Sequence, residues 1–288
     1  MKKCFKMILL IVLTVVLTFD SVAVAASNDN TTNKVTIQIN EYLHLKQLKD
    51  KNNNELKKLG YSDAEIDKIR NIDYAEELRK RSKLDKNILR NLGYTEDQIN
   101  KLKNFNGTEE EIISLASTLT LTATTNNFFY NSSDDRTYFR VKWTWKWSSA
   151  PFEMENDIIG IGWDPNMYID TSTNYTFHMV RYKNYREGYT YYQSASVDPV
   201  SASGAAESVW DMCINVSSQP LDYDWSYYGY GYIRVSKAGR IPEAAMRISY
   251  GHSTTTIIPS VGSPFNVGFT IEPQSCEEYD YEYIHATL

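Results

Sequence analysis

The sequence predicts an α+β chain in two segregated parts, a small N-terminal helical bundle followed by an all-β domain of sandwich or jelly-roll type. Three observations carry this. Composition changes abruptly near residue 118. The part before it holds a 33-residue repeat with helix-capping signals. The part after it alternates apolar and polar residues with period two.

Residues 1–26 read as a secretory signal peptide. Lys2, Lys3 and Lys6 precede an apolar run over 7–19, and Ala23-Val24-Ala25 offers a small-x-small cleavage site. The apolar run is shorter than the ~20 residues of a membrane span. No second such run follows, so the sequence predicts a secreted, extracellular chain with no transmembrane segment after cleavage.

Residues 27–118 contain 16 basic and 16 acidic side chains, no proline and no tryptophan. Residues 119–288 contain all eight prolines, all six tryptophans and 18 of the 22 tyrosines. The junction 119–127 reads as a linker or a first strand, and 128–288 as the β-sandwich domain.

In the helical repeat region, 56–69 (LKKLGYSDAEIDKI) matches 89–102 (LRNLGYTEDQINKL). Leu56 and Leu59 mark an apolar face. Gly60 ends the helix, because glycine enters the left-handed region at low cost. Ser62 with Glu65 forms a capping box that starts the next helix, and Thr95 with Gln98 repeats it. Thr108 with Glu111 offers a third start. Two copies suit a small bundle of helical hairpins, acting as spacer or docking module, better than a long stacked array.

The β-rich part opens on RVKWTWKW (140–147). Phe139, Val141, Trp143, Trp145 and Trp147 take one face; Tyr138, Arg140, Lys142, Thr144 and Lys146 take the other. The cationic face is the wet one, so the tryptophans point to a core, with Trp147 nearest the rim. Further strands are predicted at 157–163, 175–182, 188–194, 208–216, 227–236, 245–250, 265–271 and 279–285, separated by turn residues.

In 225–236 (WSYYGYGYIRVS), Tyr228, Tyr230 and Tyr232 share a face opposite Gly229 and Gly231. Rings at i, i+2 and i+4 stand about 7 Å apart along a strand. They offer stacking surfaces and hydroxyls to a polysaccharide. Tyr228, Tyr230 and Tyr232, with Trp225 and Trp147 at the margins, are the candidate ligand-binding residues. Tyr279, Tyr281 and Tyr283 repeat the pattern.

The chain lacks H-E-x-x-H, P-loop, G-x-S-x-G, EF-hand and spaced Cys/His zinc patterns, so no catalytic residue, metal site or cofactor is predicted. His44 reads as a solvated surface residue and His178 as a structural mid-strand residue. Asp134-Asp135 reads as a polar turn. Cys213 and Cys276 remain after signal removal and permit one disulfide. A formal net charge of −6 excludes the basic footprint of a nucleic-acid binder.

The signal peptide, the LGYS/LGYT corners and the W-T-W-K-W-S-S-A-P segment together resemble uncharacterised secreted proteins of Gram-positive bacteria. That resemblance implies an architecture and carries no activity. The functional expectation is a secreted non-catalytic binding or interaction protein. Its β-domain would present an aromatic surface to cell-wall or other polysaccharide, or to a surface protein. The alternatives are a secreted hydrolase using a carboxylate pair and a membrane-active secreted toxin.

Overall fold

The computed structural model describes residues 27–29, 34–58, 61–164, 166–201, 204–216, 222–252, 267–271 and 277–279. The predicted signal peptide, Gly60, Cys276, Tyr281 and Tyr283 lie outside the described residues.

Two strands come first, β1 (Ser27–Asp29) and β2 (Lys34–Asn40). Seven short helices follow among the described residues: α1 (Glu41–Asp50), α2 (Asn53–Lys58), α3 (Asp63–Asn71), α4 (Tyr74–Ser82), α5 (Lys86–Asn91), α6 (Glu96–Lys103) and α7 (Glu109–Leu115). The remaining elements are strands: β3 (Thr118–Asn131), β4 (Arg136–Trp147), β5 (Asn156–Trp163), β6 (Tyr168–Ile169), β7 (Phe177–Asn184), β8 (Thr190–Ala195), β9 (Asp198–Ser201), β10 (Ala205–Asp211), β11 (Cys213–Asn215), β12 (Tyr223–Ala238), β13 (Met246–His252), β14 (Val267–Ile271) and β15 (Glu277–Tyr279).

The helices start where the sequence places their caps. Ser62, Thr95 and Thr108 each close a capping box with Glu65, Gln98 and Glu111. The repeated corner is real: the Tyr61 amide donates to the Leu56 carbonyl and the Tyr94 amide to the Leu89 carbonyl, both at 3.1 Å. Gly93 takes φ +91°, the left-handed conformation the corner requires. Asn40, Asp73 and Asp85 supply further caps on α1, α4 and α5.

The strands form two sheets. The larger runs β1-β2-β3-β4-β12-β7-β8, antiparallel throughout, with β6 and β11 added to β12 and β15 paired in parallel with β3. The smaller runs β14-β13-β5-β10-β9, also antiparallel. Their side chains meet. Trp145 of β4 stacks on Trp210 of β10 with ring centroids 4.8 Å apart, and Tyr250 of β13 meets Trp145 edge-on at 5.6 Å.

Helices precede a large β region, as predicted, but two boundaries move. Residues 34–40, assigned to the helical region, form β2 and pair with β3 from Lys34↔Thr124 to Asn40↔Thr118. Of the two readings of 119–127, the strand holds, since all nine residues lie within β3. The helices are therefore inserted between two neighbouring strands of one sheet.

They are also fastened to it. Arg81 of α4 donates to the Ala150 and Pro151 carbonyls at 2.6 and 2.7 Å and lies 4.4 Å from the Phe152 ring centroid. The buried Glu41 carboxylate accepts from the Phe152 amide at 2.9 Å and the Tyr74 hydroxyl at 2.8 Å. A Cβ on Gly93 would sit 2.9 Å from the Ser148 carbonyl, so the corner can approach β4 only as glycine. One hydrophobic cluster runs from Leu45 of α1 through Trp145 to Tyr250. The spacer reading of the helical part gives way to a buttress packed on the end of β4.

Candidate binding face

Strand β4 sorts its side chains as its alternation predicts. Trp143 and Trp145 are 0% exposed and Trp147 is 3%, while Arg140, Lys142, Thr144 and Lys146 lie on the opposite, solvated face. Burying each indole stabilises by about 2–3 kcal/mol.

Its neighbour β12 explains the alternating tyrosines and glycines. Gly229 lies opposite Trp145 and Gly231 opposite Trp143. A Cβ on either glycine would collide with the facing indole, and on Gly231 it would also come within 2.6 Å of the Phe177 carbonyl. The inner face has room only for hydrogen there, so the large side chains of this segment stand on the outer face.

That outer face can be read row by row from the registers. Lys146, Tyr228, Arg181 and Tyr192 are aligned across β4, β12, β7 and β8; Thr144, Tyr230, Met179 and Ser194 form the next row; Lys142, Tyr232 and Phe177 form the third. Thr120, Thr122 and Thr124 of β3 extend the rows, followed by Gln38, Thr36 and Lys34 of β2. No Asp or Glu occupies these positions.

The rings touch one another. Tyr228 and Tyr230 lie 6.2 Å apart, Tyr230 meets Tyr192 and Phe177 edge-on at 6.0 Å each, and Tyr232 lies 5.3 Å from Phe177. Cations sit among them. The Arg140 guanidinium lies 4.3 Å from the Tyr232 centroid and the Arg181 guanidinium 5.3 Å from that of Tyr192. Burial pushes the Tyr228 phenol up, so it stays a neutral donor at neutral pH.

The sequence placed Trp147 and Trp225 beside these tyrosines, and the structure buries both. Trp147 donates from Nε1 to the Tyr250 hydroxyl at 3.0 Å, between the two sheets rather than at a rim. Trp225, 1% exposed, donates to the Asn91 carbonyl at 3.0 Å beneath α5. Tyr228, Tyr230 and Tyr232 do come together on the solvated side. Sequence reasoning missed Phe177, Arg181 and Tyr192. Their alternation in 177–183 and 190–195 was legible, but not that β7 would lie beside β12.

Buried polar groups hold the interior. Trp145 Nε1 donates to His178 Nε2 at 3.0 Å, so the His178 proton sits on Nδ1 and is donated to Ser208 Oγ at 2.8 Å. Burial lowers the His178 pKa to about 3, and the ring is neutral, structural as expected. His44 differs from its solvated reading: it is half-buried, and burial lowers its pKa to about 4. His252 Nδ1 lies 2.6 Å from Asp157 Oδ1, and the Tyr250 hydroxyl donates to Asp157 Oδ2. Burial pulls the His252 pKa down, but the Asp157 carboxylate outweighs it and leaves the value raised.

Asp134 and Asp135 form the β3–β4 turn, accepting from the Tyr138 and Tyr130 hydroxyls at 2.5 and 2.8 Å. Cys213 is partly buried on β11, and burial pushes its thiol up to about 11; its predicted partner Cys276 lies outside the described residues. Among the described residues no cluster of three or more His, Cys, Asp or Glu can hold a metal ion, and no helix is long and apolar enough to cross a membrane.

A separate concavity of about 430 Å³ opens beside β8 and β10, lined by Gln193, Ser196, Asp198 and Asp211 around Tyr182 and Trp210.

No protein-family model matches the chain. No curated protein matches it. Among solved structures the chain is similar to a pore forming protein, with TM-score 0.27 and 10% identity over 56% of this chain and 83% of that one. It is similar to Clostridium perfringens delta-toxin, with TM-score 0.26 and 9% identity over 57% and 85% of the two chains. It is also similar to AvmM, which catalyses macrocyclization in alchivemycin A biosynthesis, with TM-score 0.23 and 10% identity over 57% and 92%. Likenesses of this size carry no argument about function.

Proposed function

We propose that this chain is a secreted, non-catalytic binding protein that presents the outer face of its large sheet to a polysaccharide. Residues 1–26 direct export in this reading. One observation carries it: Tyr228, Tyr230 and Tyr232 stand on the solvated side of β12, extended sideways by Phe177 and Tyr192, while the tryptophans of β4 turn inward. Aromatic faces accept the apolar side of a sugar ring, and the hydroxyls of the tyrosines and of Thr122 and Thr144 hydrogen-bond its edge. The tryptophans buried beneath the platform pack it against the second sheet, so little ordering is needed on binding.

The test is co-sedimentation with insoluble cell-wall polysaccharides, comparing wild type with Tyr230→Ala. The expected result is binding by wild type and at least a tenfold loss in the variant. Equal binding by the two proteins removes the platform from the account.

A second reading, a secreted hydrolase, draws on the concavity beside β8. Asp198 and Asp211 share it with aromatic residues, and paired carboxylates are what glycoside hydrolysis uses. Reducing-sugar release that disappears in Asp211→Asn would favour it over the binding reading.

A further inference from the structure

The aromatic ladder is set in a field of one sign. The chain has 36 acidic and 30 basic residues. The outward positions of β2, β3, β4, β12, β7 and β8 nevertheless carry Lys34, Arg140, Lys142, Lys146 and Arg181 and no carboxylate. At the margin, Asp170 is already engaged by Arg234, at 3.1 Å from its Nε. Lys142, Lys146, Arg140 and Arg181 have no carboxylate partner among the described residues.

Two of these cations use only part of their donor set: Arg140 donates from Nη2 to the Asn174 carbonyl at 3.5 Å and Arg181 from Nη2 to Thr190 Oγ1 at 3.0 Å. Nε of Arg140 and Nε of Arg181 are shielded from solvent and meet no hydrogen-bond acceptor among the described residues. Both guanidinium groups rest against tyrosine rings of the ladder, so they are held in place beside the surface on which a sugar would stack. A planar guanidinium presents paired donors suited to carboxylate, sulfate or phosphate oxygens.

We infer that the occupant of the outer face is an acidic polysaccharide, whose anionic groups are taken by Arg140, Lys142, Lys146 and Arg181 while its rings lie along Tyr228, Tyr230 and Tyr232. This rests on the carbohydrate reading above and names the class of polymer. An anionic lipid surface shares the charge but asks for apolar side chains that enter the bilayer. Here the rows are mostly threonine, tyrosine and lysine, with Phe177 and Met179 their partly buried apolar members, and among the described residues Val200, the most exposed large aliphatic side chain, lies on β9 of the other sheet.

The experiment measures binding of the intact protein to polygalacturonate and to its carboxyl-reduced, neutral form at low and high NaCl. The expected result is at least tenfold tighter binding to the acidic polymer, with that advantage lost at high salt. The double variant Lys142→Gln/Lys146→Gln, both side chains on the solvated face and its folding checked by circular dichroism, should lose the advantage. Equal affinity for both polymers, insensitive to salt, overturns the acidic class and leaves the carbohydrate reading intact. No binding to either polymer overturns both. Tighter binding to phosphatidylglycerol vesicles than to polygalacturonate overturns the inference in favour of a lipid surface.

Discussion

Strands β4 and β12 carry aromatic residues on both faces, and the two faces use them in opposite ways. Inside, three indole N–H groups are matched to buried acceptors, Trp145 to His178, Trp147 to Tyr250 and Trp210 to Ser226 at 3.2 Å, while that of Trp143 meets none among the described residues. The rings interlock with the second sheet and leave space for nothing larger than hydrogen at Gly229 and Gly231. Outside, the tyrosines are half-exposed and interleaved with cations. The same chemistry therefore serves packing on one side and, in the proposed reading, contact with a partner on the other. What separates the two sides is burial: Trp143, Trp145 and Trp147 are at most 3% exposed, while Tyr228, Tyr230 and Tyr232 are only partly buried.

That difference can be broken from the inside first. Trp145→Ala removes a fully buried indole that touches both sheets and strands the His178 acceptor; it should cost about 3–5 kcal/mol, measured by denaturant unfolding. A loss below about 1 kcal/mol would mean the inner face is loosely packed.

Acid acts on the same interior. The folded His178 and His44 have pKa values of about 3 and about 4, below the ordinary 6.5, so the unfolded chain takes up protons first. Each group then costs about 1.4 kcal/mol of stability per pH unit as pH falls below 6.5 toward its folded value. His252, held with a raised pKa, contributes stability that is complete below 6.5 and is lost as pH rises through its folded value. Glu41, raised by burial, works against the trend over part of the range, one carboxyl against two histidines. The expected outcome is falling stability from pH 6.5 to 4.5. His178→Gln, which can still accept from Trp145, should show a shallower slope.

Gly231→Ala sharpens the comparison at the boundary between faces. The added methyl meets the Trp143 ring and the Phe177 carbonyl, and overpacking of this kind costs about 1–3 kcal/mol. An unchanged Tm would show that the tryptophans yield. The smallest expected stability effect is on the outside. Tyr230→Ala removes a half-exposed ring and should cost under about 1 kcal/mol by the same assay, because surface substitutions rarely cost more. A loss as large as that of Trp145→Ala would make the outer tyrosines structural.

Much of this was legible in single segments. Alternation sorted 138–147 into its two faces, and Ser62, Thr95 and Thr108 announced their helices. The facing of Tyr228, Tyr230 and Tyr232 away from Gly229 and Gly231 was also local information. What escaped was long-range. The segment 34–40 (KVTIQIN) alternates as a strand, with Ile37 and Ile39 buried, but its neighbours' charge and helical repeat masked it. Trp147 and Trp225 were assigned to the margin because the elements that cover them, β13 and α5, lie about 100 or more residues away in the chain. The cations beside the ladder depend on strand order, which puts β12 between β4 and β7 and which no local pattern encodes.

Radical footprinting of the intact protein, with and without saturating acidic polysaccharide, reads both faces at once. The account predicts that Tyr192, Tyr228, Tyr230 and Tyr232 are oxidised in the free protein and protected by the polymer, while Trp143 and Trp145 stay silent in both states. Oxidation of those tyrosines that is the same with and without bound polymer would contradict it.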